Sequence, residues 1–361
     1  MRVVAKIGTS SITDDRGAIN VAMVQSLCTQ VAQLRSQHHE VLVVTSGAVA
    51  GGVAALGLSQ RPTDTSTLQA LAAAGQSRLM GHYNAALETH GLIGAQVLLV
   101  PNDFIDRAQY LHARNTMLRL LELGCIPVIN ENDAIASDEI RFGDNDRIAA
   151  LVAHSVDADV LVLLTDTDGL FTADPTTDAS ATLIDHVSAS DELMTVRAGA
   201  SSTARGSGGM ASKLAAARIA SWSGVRTVIA RASRPDVLHD AMTGASGVGT
   251  TFAAHGRSLT ARKLWIAFAA QPTGRVTVDD GARSVLVNRG VSLLHAGVVE
   301  VRGGFAAGDV VEIADVSGAV VARGLVRVDE RQAAAAAGKK SSELADDIPA
   351  ELVHRDDLIV Y

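Results

Sequence analysis

Val160-Leu161-Val162-Leu163-Leu164-Thr165-Asp166-Thr167-Asp168-Gly169 is the stretch that decides the fold class. Its five leading aliphatic residues show no polar alternation, so both faces need apolar cover, which suits a strand of a parallel sheet lying between helices. The run then stops abruptly in Thr, Asp and Gly, residues favoured in turns. Comparable short runs occupy residues 3–7, 41–45, 95–100, 126–130 and 227–230, separated by helical stretches. This alternation predicts an α/β domain with a mostly parallel sheet flanked by helices. Ligands of such sheets bind beyond the C-terminal ends of the strands. Polar and glycine residues gather at four of those ends: Gly8-Thr9-Ser10, Ser46-Gly47, Glu131-Asn132-Asp133 and Asp166-Thr167-Asp168-Gly169. Each reads equally well as a plain turn, but four together suggest a site.

The chain has 361 residues, 47% of them hydrophobic and 19% charged, enough to bury a large core divided between two domains. A formal charge of −8 disfavours a generic nucleic-acid surface and leaves local anion sites open. Cys28 and Cys125 lie among apolar neighbours and read as buried free thiols. The opening Met1-Arg2-Val3-Val4-Ala5-Lys6 is too short an apolar stretch for a signal peptide, and no segment approaches the roughly 18 apolar residues of a membrane span. A cytoplasmic protein without a membrane partner is expected. Near Arg257 the texture changes, and Gln271-Pro272-Thr273-Gly274 marks a boundary. The expected division is a first domain over 1–256, a linker over 257–272 and a small β-rich domain over 273–361. Strand-like runs at 275–278, 298–303, 309–313 and 320–324 support the last, and residues 333–342 read as a helix end and loop.

Three segments carry chemistry. Lys6 sits inside the first apolar run, where an ammonium is costly unless it meets an anion or snorkels to solvent from an edge strand. Gly206-Ser207-Gly208-Gly209-Met210-Ala211-Ser212-Lys213 precedes a helical stretch. Its glycines would let backbone N–H groups approach phosphate oxygens, the helix N-terminus favours negative charge, and Lys213 adds a mobile cation. Ser212 breaks the Walker A pattern, and no strand lies close enough before the loop for a dinucleotide fingerprint. Finally, residues 130–135 and 141–147 concentrate amides and carboxylates at two element boundaries. Capping by Asp144 or Asn145 is the default reading, yet it leaves that density unexplained. A free amino acid needs acceptors for its ammonium and donors for its carboxylates, and this mixture could supply both.

Lys6-Ile7-Gly8-Thr9-Ser10, residues 44–52, Asn130-Glu131-Asn132-Asp133-Ala134, Gly143-Asp144-Asn145-Asp146 and Gly208-Gly209-Met210-x-x-Lys213 occur in the order seen in glutamate 5-kinases. Residues 74–79 and 165–175 also resemble that family, and residues from about 273 onward resemble its C-terminal PUA domain. The resemblance implies the amino-acid-kinase fold and transfer of phosphate from ATP, with Mg²⁺, to the side-chain carboxylate of L-glutamate. It further implies the first step of proline synthesis, proline as an inhibitor, and a homo-oligomer. By position, Lys6 and Lys213 match the catalytic, phosphate-stabilising lysines. Thr165 and Asp166 match nucleotide contacts, and Ser207, Gly208, Gly209, Met210, Ala211, Ser212 and Lys213 match the ATP loop. Ser46, Asp133 and Asn145 match glutamate-binding positions. No metal ligand is assigned, because Mg²⁺ is often held by phosphate oxygens and water. The alternatives are another acyl-phosphate-forming kinase of the superfamily and, in a different class, an RNA-binding protein acting through the PUA domain. Residues 273–361 hold 10 Lys/Arg against 14 Asp/Glu, which lacks the basic footprint of RNA binding.

Overall fold

The computed structural model describes residues 1–14, 17–104, 106–135, 145–175, 177–189, 209–256, 259–269 and 272–360. The chain divides near residue 258 into two compact units. In the first, every apolar run named above is a strand: β1 (Arg2–Ile7), β2 (Glu40–Val44), β3 (Gly94–Leu99), β4 (Ile126–Glu131), β5 (Val160–Thr165) and, after the two-residue β6 (His186–Val187), β7 (Arg226–Arg231). With β8 (Thr250–Phe252) they form one sheet in the order β3-β4-β2-β1-β5-β7-β8-β6. The six strands from β3 to β7 run parallel, and β8 turns antiparallel beside β7.

Helices cover both faces. They are α1 (Thr9–Ile12), α2 (Val21–Ser36), α3 (Ala48–Ala55), α4 (Thr65–Glu88), α5 (Arg107–Glu122), α6 (Asn145–Ser155), α7 (Met210–Trp222) and α8 (Val237–Thr243). Short polar side chains start several of them: Asn20, Asp64 and Asp106 accept hydrogen bonds from Met23, Thr67 and Gln109 N–H groups. Strand periodicity divides β1 between the faces. Val3, Ala5 and Ile7 join Leu27 and Val31 of α2 and Leu79 and Tyr83 of α4 in one core. Val4 and Lys6 therefore point to the opposite face, where α6 packs on β1 and α7 on α6. Cys28 is buried as expected, whereas Cys125 is only half-buried; both are free thiols.

The second unit holds β9 (Gly274–Val278), β10 (Leu293–Leu294), β11 (Val298–Gly303), β12 (Val310–Asp315), β13 (Val320–Val326) and β14 (Glu351–Val360), ordered β10-β14-β13-β12-β9-β11. A short helix, α9 (Ala261–Leu264), precedes them, and α10 (Asp280–Arg289) and α11 (Glu330–Ala336) lie between strands. Val276, Val278, Val311, Ile313, Leu352 and Val353 are among its core. Four of its six strands are legible as apolar runs; β10, β14 and α10 are not. In β14 the pairing jumps from Leu358 opposite Gly324 to Val353 opposite Val326, so the polar centre His354-Arg355-Asp356-Asp357 bulges out of register and masks the alternation.

One close approach shapes the first unit. A Cβ on Gly52 would lie 2.0 Å from the Leu71 carbonyl oxygen, and one on Gly75 would lie 1.9 Å from that of Ala48. Helices α3 and α4 thus meet backbone to backbone. Gly75→Ala should destabilise the protein by about 1–3 kcal/mol through overpacking, despite the gain of about 1 kcal/mol that alanine usually brings to a helix interior. Gly81, in the same helix with open space around it, is the control. Gly81→Ala should stabilise by roughly 0.5–1 kcal/mol. Denaturant midpoints moving the same way in the two variants would contradict this account.

Candidate active site

Because β1 is a central strand, with Lys6 opposite Val44 on β2 and Leu163 on β5, its ammonium has no lateral route to solvent. Lys6 is only 3% exposed, so the edge-strand alternative is ruled out. Its Nζ lies 2.6 Å from Asp146 Oδ1, in the first turn of α6. The other oxygen of the same carboxylate, Oδ2, is 3.3 Å from Lys213 Nζ on α7 and accepts a hydrogen bond from Ser212 Oγ. Asp146 and Lys213 are 1% and 5% exposed. Burial alone would raise the Asp146 carboxyl; the charges of Lys6 and Lys213, with hydrogen bonds from Lys6 and Ser212, outweigh it and hold the group below the usual carboxylate range. Two ammonium groups therefore share one buried carboxylate. Both oxygens of Asp146 are engaged by cations, so the trio suits an incoming anion better than a resident metal ion.

A second group ties the ends of β2 and β4 together. Asn145, one of two cap candidates and by resemblance a glutamate-binding position, uses its side chain between strand ends: Oδ1 accepts from Glu131 N at 3.0 Å and Nδ2 donates to Ser46 Oγ at 3.3 Å. Ser46 Oγ is thereby used as an acceptor, which leaves its O–H proton to donate elsewhere. After Ser46 the chain enters α3 through Gly47, whose φ of +100° is strained for any residue with a side chain. Tyr83 O–H donates to Thr45 Oγ1 at 2.9 Å inside the core, pinning the end of β2 from below.

Asp133 follows β4 and lines a cleft of about 270 Å³ with Gln76 and Ser77 of α4, Gln96 of β3, Asn132 and Ala48. It is 8% exposed, and its Oδ1 accepts no hydrogen bond. Burial pushes its carboxyl up to about 6, against a smaller opposing pull from the positive charge of Arg61. Asn130, at the end of β4, is also buried with a bare acceptor, Oδ1. Two buried oxygens without donors on one short segment are costly unless a ligand supplies the protons.

Thr165 closes β5 next to β1 and donates to Asp166 Oδ1 at 3.0 Å. The following turn is clamped by Arg231 at the end of β7, which donates to both Asp168 carboxylate oxygens and to the Asp166 carbonyl. Of the glycine loop, Gly209 precedes α7, and Met210, Ala211, Ser212 and Lys213 form its first turn. Ser207 and Gly208 lie outside the described residues, as does Asp144. Lys6, Ser212 and Lys213 are thus brought onto one carboxylate, and Ser46 and Asn145 onto each other. Asp146 and Asn130 were not singled out in the sequence. The clue to Asp146 was a second carboxylate in Gly143-Asp144-Asn145-Asp146, indistinguishable there from an acidic residue favoured at any helix start.

Among the described residues no helix is long and apolar enough to cross a membrane. Residues 1–231 match the amino acid kinase family, and residues 274–348 match the PUA domain. The glutamate 5-kinase of Thermobifida fusca is 45% identical over 365 residues, covering 99% of this chain and 93% of that protein. Those of Salinispora arenicola and a Marinomonas species are 45% and 43% identical, each covering 99% of this chain and 97% of the relative. With that identity along the whole chain, the chain belongs to the amino acid kinase family and, within it, to the glutamate 5-kinases.

Proposed function

We propose that this chain transfers the γ-phosphoryl group of ATP to the side-chain carboxylate of L-glutamate, forming L-glutamyl 5-phosphate in the first step of proline synthesis. It acts in the cytoplasm as a homo-oligomer inhibited by proline. Residues 1–256 are its catalytic domain, 257–272 the linker and 273–361 the PUA domain. The observation that carries the reading is the pair of buried ammonium groups, from β1 and α7, held on one carboxylate at the C-terminal edge of the sheet.

The chemistry explains why such a pair is needed. A glutamate side chain, with a reference pKa near 4.3, is already an anion at neutral pH and needs no general base. The barrier lies in bringing it against a phosphoryl group that is itself negative. Lys6 and Lys213 supply positive charge where negative charge accumulates during transfer, and Asp146 holds both in place. The loop of residues 207–213, with Thr165 and Asp166, positions the nucleotide. Mg²⁺, which no residue here is assigned to hold, would supply further positive charge against the phosphates. At the acceptor end, Asp133 and Asn130 Oδ1 receive the α-ammonium, and Ser46 O–H and Asn145 Nδ2 donate to substrate oxygens.

Lys6→Ala and Lys213→Ala should fold yet lower kcat by about 10²-fold or more. Near-native turnover by either folded variant would remove that lysine from the reaction.

Ammonium binding needs Asp133 ionised, and its carboxyl titrates near 6. As pH falls from 8 to about 5.5, kcat/KM for glutamate should therefore drop through that value, since protonation removes the charge that attracts the ligand. Asp133→Asn should be poor at every pH and lose this limb. A flat profile for the unmodified protein would refute the assignment.

An acceptor panel tests the reaction itself. Aspartate, one methylene shorter, should be about 10²-fold less efficient than glutamate, because misplacement of about 1 Å costs that much. Free proline, which has the α-carboxylate and ammonium but no side-chain carboxylate, should inhibit and be relieved by glutamate. Equal efficiency with aspartate, or inhibition that excess glutamate leaves untouched, would count against the reading.

A further inference from the structure

A side-chain amide offers an acceptor on one side and donors on the other, so what it shows a ligand depends on what holds it from behind. Asn130 is fully buried at the end of β4. Its Nδ2 donates to Gln76 Oε1 at 2.8 Å, while its Oδ1 accepts nothing. Gln76, on α4, is oriented in its turn, because its Nε2 donates to Gln96 Oε1 at 3.2 Å. Gln96 stands on β3, the edge strand of the sheet. The three amides thus point the same way, from the exposed edge to the buried strand end, and the series finishes in a bare carbonyl oxygen. Gln76 and Gln96 line the cleft that also holds Asp133.

We propose that Gln76, backed by Gln96, is a positioning residue that fixes the polarity of Asn130, so that the acceptor end of the site takes a primary ammonium and discriminates against ligands without one. The inference rests on the reading of glutamate as acceptor and adds the source of its selectivity. With Gln76 Oε1 engaged behind it, Asn130 cannot turn its Nδ2 toward the ligand without losing a buried hydrogen bond. If Gln76 were apolar, the Asn130 amide would be free to turn and would meet the ammonium with donors. Asp133 supplies the charge; the amide series supplies the direction. Glutarate is the matching probe, since it keeps both carboxylates of glutamate and lacks the ammonium.

The test uses the full chain and compares the KM for glutamate, the KM for ATP and the Ki of glutarate as a competitor in the unmodified protein, Gln76→Leu, Gln76→Glu and Gln96→Ala. Leucine keeps the bulk but offers no acceptor, whereas glutamate at position 76 still accepts from Asn130 Nδ2. Gln76→Leu should raise the glutamate KM about tenfold or more, with kcat, the ATP KM and the glutarate Ki within about twofold. Gln76→Glu should retain the preference for glutamate over glutarate. Gln96→Ala, on the exposed strand where folding is not at stake, should raise the glutamate KM about threefold. The proposal is overturned if Gln76→Leu leaves the preference unchanged, if it shifts all three constants alike, or if Gln76→Glu is as impaired as Gln76→Leu. Should Gln76→Leu not fold, an unchanged glutamate KM in Gln96→Ala overturns it alone. Failure of the unmodified chain to phosphorylate glutamate overturns the functional reading, whereas an active chain with any of the contrary outcomes above overturns this inference alone.

Discussion

Two ammonium groups and one carboxylate share a space almost closed to water, and the rest of the strand-end architecture follows from keeping them there. Taking an ion out of water costs several kcal/mol even after relaxation, and the contacts of both lysines with Asp146 offset part of that cost. Asp146 can serve because the cations hold its carboxyl low, and it stays charged until the pH falls below the ordinary carboxylate range. Its contribution to stability is therefore present at neutral pH and lost only in acid. The arrangement also requires three elements to meet: the first turn of α7, the first turn of α6 and the central strand β1. Their convergence on one side of the sheet fixes where a polyanionic ligand can lie.

The acceptor end is built on the other principle, of leaving oxygens unsatisfied and rigidly supported. Asp133 and Asn130 hang from the end of β4, while the groups opposite them come from the start of α3 and from α4. Because α3 and α4 meet through Gly52 and Gly75, the separation between Ser46, just before α3, and Gln76, just after Gly75, is set by backbone atoms in contact. Side chains relax by changing rotamer, whereas touching backbones do not. The spacing between these groups thus has little give.

Most of the fold could be read from the chain because its central strands are covered on both faces and therefore appear as unbroken apolar runs. The segments at their ends could be read because short polar residues and glycines there interrupt an otherwise aliphatic pattern. What escaped was relational. Asp146 looks like any acidic residue at a helix start until Lys6 and Lys213 are brought to it, and the hydrogen bonds of Asn145 to Glu131 and Ser46 join residues far apart in the chain. Asn130 looks like the last residue of a strand, and nothing local shows that its oxygen is bare. The half-exposed Cys125 and the bulged β14 escaped for a simpler reason, since apolar neighbours do not guarantee burial and a polar insertion hides a strand.

The position of Lys6 on β1 has a consequence for folding as well as for chemistry. Sliding β1 by one residue against β2 and β5 would turn its alternate side chains to the wrong faces. The ammonium would then enter the aliphatic layer formed with α2 and α4, far from Asp146, while Ile7 or Ala5 took its place among charges. Aliphatic residues occupy both faces of this strand, so hydrophobicity alone distinguishes the two registers poorly. The single cation does so decisively, and the residue we propose for phosphoryl transfer also acts as the alignment mark by which the central strand finds its partners.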